Sequence, residues 1–378
     1  MIIKNASVYT ENGIFLTKDI YMDGDRFVEE EAQVQDTQVF DASGCYAVPG
    51  LTDIHFHGCM SYDFCDGTRE AIDAMAAYEA SIGVTNIVPA TMTLSEEMLL
   101  GICQTARAYK EEGPQEKKAR FHGINMEGPF VSQAKKGAQN GAYIRKPDLA
   151  MFDRLNAASG NCVKLLAIAP EEEGAMELIE ARHGQTVISL AHTCADYDTS
   201  MRAFEKGASH VTHLYNAMNP YTHRAPGLIG AAADTAGAEV ELICDGVHSH
   251  PAAVRTTFKI FGDERIILIS DSMRAAGLAD GEYTLGGQDV KVTGSLAALS
   301  DGTIAGSVTN LLDCMRTAVL SMGIPLESAV KCAAVNPAKS VGIYAEHGSI
   351  SAGKKADVVL LQKDGLVLRQ VIMNGQLL

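Results

Sequence analysis

The residues of this chain best suited to chemistry stand in the run Asp53–Gly58, which contains His55 and His57. A strand-like apolar segment leads into them, and side chains at positions i and i+2 of a β-strand project to the same side. Two imidazoles that converge in this way suit a divalent transition metal such as zinc or iron. A single His-x-His pair is a modest signal, since His248 and His250 repeat the spacing. The pair predicts a metal site only if further ligand-type residues accompany it.

Residues of the same chemical types follow later apolar segments. They are Glu127 in Asn125–Pro129, His192 in Leu190–Thr193, His213 in Val211–Leu214, His248 after Glu239–Cys244, and Asp271 in Ile269–Ser272. In a parallel barrel, the carboxyl ends of the strands carry the reactive groups. Imidazoles and carboxylates gathered there could bind a metal ion and leave one carboxylate as a base. This is the set of groups that a metal-activated hydrolase requires.

Each of these residues also has an ordinary structural explanation when it is considered alone. His192 could be a hydrogen-bonded core histidine, and Asp271 could cap a following helix. Glu127 could be a turn carboxylate, although an acid beside an apolar strand needs a partner if it is buried. His213 could belong to a surface loop. The recurrence of such residues at so many segment ends favours the functional interpretation.

The composition fits one large globular unit with a smaller appendage. The chain has 378 residues, of which 47% are hydrophobic and 21% charged, and this is enough apolar material for a full core. The formal net charge of −16 argues against nucleic acid and anionic membranes as partners. The nine cysteines form no CxxC pair, and neither a signal peptide nor an apolar run of membrane length is present. These features predict reduced thiols and a cytoplasmic protein.

The middle of the chain alternates strand-like and helical segments. The predicted buried strands are Ala47–His57, Thr85–Pro89, Arg120–Met126, Val163–Ala169, Thr186–Ala191, His210–His213, Glu239–Cys244 and Ile266–Ser270. The predicted helices include Thr68–Ser81, Ser95–Lys110, Gly174–Arg182, Thr199–Lys206, Val308–Met322 and Leu326–Val335. Eight such units predict an α/β fold of the (β/α)₈ TIM-like barrel type. The sequence contains no GxGxxG or GxxxxGK[ST] motif, so nucleotide binding is disfavoured.

Both ends of the chain are rich in short strands separated by turn residues. This pattern predicts a small β-sandwich domain built from residues 1–46 and 347–378, beside a barrel of residues 47–346. Residues 279–306 break the alternation with glycine-rich turns, and they predict a hairpin insertion after the last barrel strand.

Four motifs resemble those of the amidohydrolase superfamily, and within it the deacetylases of N-acetylated amino-sugar phosphates. They are Glu127–Phe130, Lys136–Ala138, Ala169–Glu171 and His213–Met218, in the expected order after the His-x-His pair. The resemblance spans nearly the whole chain, including the split β-domain. It implies hydrolysis of the acetamide group of N-acetylglucosamine 6-phosphate, in amino-sugar catabolism, to give glucosamine 6-phosphate and acetate.

The resemblance also implies a role for each site residue. Glu127, His192 and His213 would hold the principal divalent ion, zinc or alternatively iron. His55 and His57 would hold a second ion where one is present, and Asp271 would be the general base and acid. Substrate contacts would come from Ala138, Gln139, Asn216, Ala217, Arg224, His248, Ile304, Ala305 and Gly306. A homodimer is implied as well, in which the phosphate-binding arginine can come from the neighbouring subunit.

One position departs from the family pattern. Family members often carry a histidine directly after the Lys136–Ala138 motif, whereas this chain has Gln139. An amide can hydrogen-bond a sugar oxygen or a carbonyl, but it does not titrate near neutral pH. The configuration of the sugar, gluco or galacto, therefore stays open, as does the number of ions.

Two other functions stay open. Cyclic amidases, which with deaminases form the first alternative, usually carry a carboxylated lysine at the end of strand four. This chain reads Ile168–Glu171 there, without lysine, and Glu127 can supply the carboxylate instead. The second alternative is a metal-free scaffold, but every expected ligand position is filled. Both observations favour the deacetylase.

Overall fold

The computed structural model of the chain describes residues 1–36 and 38–378. Its strands, in chain order, are β1 (Ile2–Tyr9), β2 (Phe15–Asp23), β3 (Arg26–Val28), β4 (Val39–Asp41), β5 (Cys45–Pro49), β6 (Leu51–Asp53), β7 (Gly58–Cys59), β8 (Tyr62–Asp63), β9 (Val84–Ile87), β10 (Arg120–Phe121), β11 (Ile124–Met126), β12 (Val163–Ile168), β13 (Val187–Leu190), β14 (His210–Val211), β15 (Glu239–Ile243), β16 (Ile266–Ile269), β17 (Gly281–Leu285), β18 (Gln288–Thr293), β19 (Leu296–Ala298), β20 (Val358–Gln362), β21 (Leu368–Met373) and β22 (Gln376–Leu377). The helices are α1 (Arg69–Ser81), α2 (Glu96–Glu111), α3 (Leu149–Ala158), α4 (Ala175–Arg182), α5 (Tyr197–Glu205), α6 (Gly227–Asp234), α7 (Pro251–Phe261), α8 (Leu311–Leu320), α9 (Leu326–Val330) and α10 (Asn336–Ser340).

Eight parallel strand positions form a closed ring. Strands β6, β9 and β10 pair in one parallel sheet and β11 to β16 in another, and β10 and β11 share one position of the ring. The ring closes where the backbone N–H of Asp271 donates to the carbonyl of His55 (2.9 Å) and that of His57 to the carbonyl of Ser272 (2.7 Å). The (β/α)₈ barrel predicted from the alternation of segments is therefore confirmed.

The first barrel strand differs from its prediction. The apolar run Ala47–His57 was expected to form one strand, but it divides at Gly50 into β5 and β6, which belong to different sheets. A side chain at Gly50 would lie 2.7 Å from Cγ2 of Thr85 and 3.0 Å from Cβ of Asp357, so the chain passes here through a space that only glycine fits. The strand ends at Asp53, and the histidine pair lies just beyond it rather than on it.

Helix boundaries follow local capping. Helices α1 and α2 begin where predicted, after Thr68 and Ser95, whose hydroxyl oxygens accept backbone N–H groups of the first turn. Helix α5 begins at Tyr197, two residues earlier than predicted, because Asp196 supplies its cap. The helix predicted to run to Val335 continues beyond α9 as a π-helical turn over Lys331–Val335.

Strands from both termini form one eight-stranded sheet. Its order is β22-β21-β20-β5-β1-β2-β3, with β4 paired to β1. The sheet curls on itself, since the N–H of Phe27 in β3 donates to the carbonyl of Lys354 just before β20. The curled sheet encloses a separate apolar core. The domain limits at 46/47 and 346/347 stay a prediction, and β5 (Cys45–Pro49) runs across the first of them.

The segment inserted after the last barrel strand is larger than the predicted hairpin. Strands β17, β18 and β19 form a three-stranded antiparallel sheet, because a second turn at Gly294 brings β19 back along β18. Within the described residues, no helix is long and apolar enough to cross a membrane.

Candidate metal centre and active site

The ligand-type residues predicted from the sequence meet at the carboxyl end of the barrel. His55 and His57 follow β6, Glu127 follows β11, His192 follows β13, His213 follows β14, and Asp271 follows β16. All six side chains are buried. Five strands therefore contribute to one site, as the positions of these residues at the ends of apolar segments suggested.

Three of the six residues have an unusual backbone conformation. His192 (φ +44°), His213 (φ +28°) and Asp271 (φ +48°) lie in the left-handed region, which costs of order 1–3 kcal/mol for a residue with a side chain. Each is the second residue after the end of its strand, so the chain turns sharply at the site. The surrounding barrel holds this strain, and such strain is concentrated at functional sites.

Glu127, His192 and His213, here called the principal group, place three electron-pair donors around one point. Oε1 of Glu127 lies 3.1 Å from Nε2 of His192 and 3.0 Å from Nε2 of His213, and the two Nε2 atoms are 3.1 Å apart. Two ligands of one tetrahedral zinc ion lie about 3.4 Å apart. Nδ1 of His192 donates to the carbonyl of Lys135 at 2.9 Å, which leaves its Nε2 free as an acceptor.

His55, His57 and Asp271, here called the second group, lie against the first. Nε2 of His57 is 3.2 Å from Oδ1 of Asp271, and Nε2 of His55 is 3.7 Å from the same oxygen. Glu127 stands between the groups, with Oε2 at 3.3 Å from Nε2 of His57. Nε2 of His55 is buried and has no hydrogen-bond partner among the described residues. An unpartnered nitrogen beside two carboxylates fits a second ion.

Both carboxylates of the site are ionised at neutral pH. Burial alone would raise the pKa of Glu127, but the charge of His55 and hydrogen bonds from the histidines of the principal group hold it well below its ordinary value. The pKa of Asp271 is also lowered, because its hydrogen bond with His57 and the nearby charge of His55 outweigh burial. Two buried carboxylates among imidazoles are a suitable donor set for a divalent cation.

A cavity of about 270 Å³ opens onto both groups. Seven of the nine predicted substrate-contacting residues line it, namely Ala138, Gln139, Asn216, Ala217, His248, Ile304 and Gly306. Ala305 is fully buried. Gly306 has φ +66°, and a Cβ there would lie 3.0 Å from the carbonyl oxygen of Asp271, so this position has a structural need for glycine as well.

Arg224 is a predicted contact that does not line this cavity. It stands on an exposed loop, beside a different depression lined by Asp196 and Tyr197. Among the described residues, no lysine or arginine lines the cavity at the metal centre. A single subunit therefore offers a phosphate group no such cation in this cavity.

Gln139 lines the cavity, but both ends of its amide group are hydrogen-bonded to protein partners. Its Oε1 accepts the backbone N–H of Thr93 at 2.7 Å, and its Nε2 donates to Oε2 of Glu127 at 2.8 Å. The residue is 2% exposed. Its amide is thus fixed in orientation and touches a member of the principal group directly.

His248 is oriented by an acidic neighbour. Its Nδ1 lies 2.7 Å from Oδ2 of Asp245. Burial lowers the pKa of His248, but the hydrogen bond and charge of Asp245 outweigh it and raise the pKa above its ordinary value. This favours the protonated ring, which can donate a hydrogen bond into the cavity.

Glu241 is a residue of this site that was not predicted from the sequence. This residue lies inside β15, is 0% exposed, and accepts hydrogen bonds at Oε2 from Nδ1 of His55 (2.8 Å) and from the backbone N–H of His213 (3.0 Å). The available signal was an acidic residue within the apolar strand Glu239–Ile243, where burial without a partner would be costly.

The fold and the site together define a metal-dependent hydrolase of the amidohydrolase type. The Amidohydrolase family matches residues 46–378, and the chain belongs to this family. N-acetylglucosamine-6-phosphate deacetylase of Bacillus subtilis (strain 168) is 35% identical to it, over 96% of this chain and 93% of the relative. N-acetylgalactosamine-6-phosphate deacetylase of Escherichia coli O157:H7 is 33% identical, over 93% of this chain and 97% of the relative.

A solved structure resembles the whole chain. N-acetyl-D-glucosamine-6-phosphate deacetylase from Mycobacterium smegmatis, an aspartate-to-alanine mutant in complex with N-acetyl-D-glucosamine-6-phosphate, superposes with a TM-score of 0.92 at 32% identity. The match covers 100% of this chain and 98% of the other. The similarity therefore includes the terminal β-sheet as well as the barrel.

Proposed function

We propose that this protein hydrolyses the acetamide group of N-acetylglucosamine 6-phosphate and releases acetate and glucosamine 6-phosphate. The observation that carries the proposal is the cavity onto which the principal group and Asp271 both open. An acetamide resists hydrolysis because water is a weak nucleophile and an amine is a poor leaving group, so the reaction needs an electrophile and a base side by side. The named activity of relatives that are 31–35% identical supports the same reaction.

Glu127, His192 and His213 hold the principal ion. Zinc suits this set of nitrogen and carboxylate ligands, and iron is the alternative. His55 and His57, with Asp271, hold a second ion where two are bound. A bound divalent ion supplies a Lewis acid for the carbonyl group and makes water nucleophilic at neutral pH.

Asp271 moves the proton in this proposal. Its lowered pKa keeps the side chain ionised at neutral pH, so a carboxylate oxygen can accept a proton from the attacking water. The same proton then passes to the departing nitrogen, which leaves as an amine. His57, 3.2 Å from Oδ1, holds the carboxylate in place. A protonated His248 donates towards the oxygen that gains negative charge.

The sugar lies in the cavity between Asn216–Ala217 and Ile304–Gly306. Its phosphate needs a cation that the cavity lining of one subunit lacks. Arg224 of the partner subunit meets this need in a homodimer, since it stands on an exposed loop and its planar guanidinium can bind phosphate oxygens in pairs.

Acetate release from a small panel of sugars tests the reaction. The panel contains N-acetylglucosamine 6-phosphate, N-acetylgalactosamine 6-phosphate and unphosphorylated N-acetylglucosamine, each with and without a chelator. We expect release from the first compound, loss of release with the chelator, and recovery on addition of zinc. No release from any compound by the metal-loaded protein would overturn the proposal.

N-acetylgalactosamine 6-phosphate is the second candidate substrate. The relative from Escherichia coli O157:H7 that carries this name supports it, at 33% identity over nearly its whole length. The two sugars differ in the orientation of one hydroxyl group, so the ratio of their kcat/KM values in the same panel decides between them.

A further inference from the structure

Glu241 is a buried acid that the proposed reaction does not use. It lies in the middle of β15, and its immediate neighbours Val240 and Leu242 are fully buried apolar residues. A carboxylate in the interior of a barrel is costly unless strong hydrogen bonds compensate for the lost water. The contacts that compensate for it therefore indicate what this residue does.

Both strong contacts of Glu241 go to metal-ligand residues. A single oxygen, Oε2, accepts Nδ1 of His55 at 2.8 Å and the backbone N–H of His213 at 3.0 Å. The other oxygen, Oε1, has no hydrogen-bond partner among the described residues, and Nε2 of His210 lies 3.9 Å from it. Glu241 is thus hydrogen-bonded both to a side chain of the second group, that of His55, and to a backbone N–H of the principal group, that of His213.

The contact at His55 decides which ring nitrogen can bind a cation. A carboxylate only accepts, so Nδ1 of His55 carries a proton and donates it to Glu241. When the ring carries only this one proton, the lone pair lies on Nε2, which is the atom that points at Glu127 (3.6 Å) and Asp271 (3.7 Å) without a hydrogen bond to either.

The other histidines of the centre lack such a carboxylate. Nδ1 of His192 donates to a backbone carbonyl, and Nδ1 of His57 and of His213 have no hydrogen-bond partner among the described residues. Outer hydrogen bonds from a ligand histidine to a carboxylate fix the ring and raise its basicity, and their loss typically weakens metal binding about 10- to 100-fold.

We propose that Glu241 is a positioning residue that holds His55 for the second ion. Binding of an ion at the second group depends on Glu241, whereas binding at the principal group depends on it only through the backbone of His213. The inference rests on the metal-dependent function proposed above, but its test needs no substrate.

The test is a titration of the metal-free protein with Co²⁺, followed by visible absorption and by metal content per chain. The variants are Glu241→Ala and Glu241→Gln. The matched control is Glu79→Gln, because Glu79 in α1 is also 0% exposed but has no hydrogen-bond partner for either oxygen among the described residues. Circular dichroism establishes that each variant is folded.

We expect wild-type protein and Glu79→Gln to bind two ions per chain. Glu241→Ala should bind the weaker of the two ions about 10- to 100-fold less tightly and keep the other. Glu241→Gln retains an acceptor oxygen, so its loss should be smaller. A long-range ¹H–¹⁵N spectrum of the metal-free wild type, recorded at a pH high enough to leave one proton on the His55 ring, should show that proton on Nδ1, and in Glu241→Ala this preference should be lost.

Three results would overturn the inference. The first is a wild-type protein that binds only one ion. The second is a folded Glu241 variant that binds both ions as tightly as the wild type does. The third is a variant whose affinity for both ions falls by the same factor. If two ions bind and Glu241→Ala has the expected effect, but no sugar of the panel releases acetate, only the proposed substrate is rejected.

Discussion

In the proposed reaction, Asp271 is the one residue of the candidate centre that both accepts and returns a proton. In the Asp271→Asn variant the amide cannot accept the proton of water, so kcat should fall by about 10²- to 10⁴-fold. The principal group does not include Asp271, and the variant should still bind its ion. Steady-state kinetics and metal analysis of the same sample measure the two effects. Turnover near the wild-type rate would remove Asp271 from the mechanism.

Gln139 donates a hydrogen bond directly to Glu127, a proposed metal ligand. The Gln139→Ala variant loses the donor to Oε2 of Glu127 and leaves the backbone N–H of Thr93 without its partner. We expect the principal ion to be lost to a chelator about 10 times faster or more, as is typical when a ligand loses an outer hydrogen bond.

Gln288→Ala provides the control for Gln139→Ala. Gln288 is also a glutamine near the cavity, but its amide donates to the carbonyl of Ala138 and not to a ligand. The rate of metal loss from this variant should match the wild type. Equal rates in all three proteins would show that Gln139 does not hold Glu127.

Residue types at the ends of apolar segments were sufficient to predict which side chains meet in the candidate centre. His55, Glu127 and Asp271, for example, are separated by long stretches of chain but are all found within it. The positions of the outer partners were not predictable. The direction of the Gln139 amide depends on the backbone of Thr93, and Glu241 lies within a strand, where spacing alone cannot distinguish a functional acid from one that faces water.

At the scale of the elements, capping residues predicted where α1 and α2 begin, whereas the division of the first barrel strand was not predicted. Thr68 and Ser95 predict where α1 and α2 begin, because an N-cap residue bonds to the first turn of its own helix. The division of the run Ala47–His57 at Gly50 is a tertiary effect, since it depends on Thr85 and Asp357, which are distant in sequence. Periodicity cannot reveal which of two sheets a buried strand joins.

Gly50 marks the passage from the terminal sheet to the barrel. A methyl group there would crowd Thr85 and Asp357, so Gly50→Ala should lower the free energy of unfolding by about 1–3 kcal/mol. Gly101→Ala is the control, because Gly101 lies on an exposed part of α2 with no atom near its Cβ position. This second change should stabilise the protein by about 0.5–1 kcal/mol. Denaturant unfolding measures both, and an unchanged stability of Gly50→Ala would contradict the crowding.

At the scale of the whole molecule, a buried ion pair joins the barrel to the terminal sheet. Nη2 of Arg120 in β10 lies 3.0 Å from Oδ1 of Asp357, which also accepts the backbone N–H of Asn374. Although burial raises the pKa of Asp357, the contacts with His347 and Arg120 lower it to about 2. The stability that comes from this depressed pKa is present above about pH 4 and is lost as the pH falls towards 2.

The Asp357→Asn variant should lack this part of the acid response. The shift of the pKa corresponds to about 2 kcal/mol, so the free energy of unfolding of the wild type should fall by this additional amount between about pH 5 and 2.5. Urea unfolding at a series of pH values measures the difference. If the free energy of unfolding of the two proteins varies with pH in the same way, the ion pair makes no pH-dependent contribution to stability.

Substitution of Arg224 tests whether this residue binds the phosphate group of the substrate, as the proposed homodimer requires. Arg224→Ala should raise KM for the phosphorylated sugar far more than for its unphosphorylated analogue, because only the former needs the cation. Equal loss on both substrates would indicate a structural role.

Dimers mixed from two variants show which subunit supplies Arg224 to a given active site. A dimer of one Arg224→Ala chain and one Asp271→Asn chain has a complete site only if the arginine crosses the interface. At a concentration of phosphorylated sugar at which Arg224→Ala alone is nearly inactive, random mixing of the two variants should then restore about a quarter of the wild-type activity. An arginine that serves its own subunit would give no recovery.

The backbone contacts that close the barrel, from Asp271 to His55 and from His57 to Ser272, have a consequence for how the enzyme matures. The histidine pair leaves the ribosome early, while its aspartate is synthesised only after more than half of the chain has followed. No shorter nascent chain can therefore possess this pocket of ligands. The second ion of the proposed centre can bind all three residues only after the first and last barrel strands, β6 and β16, have come together.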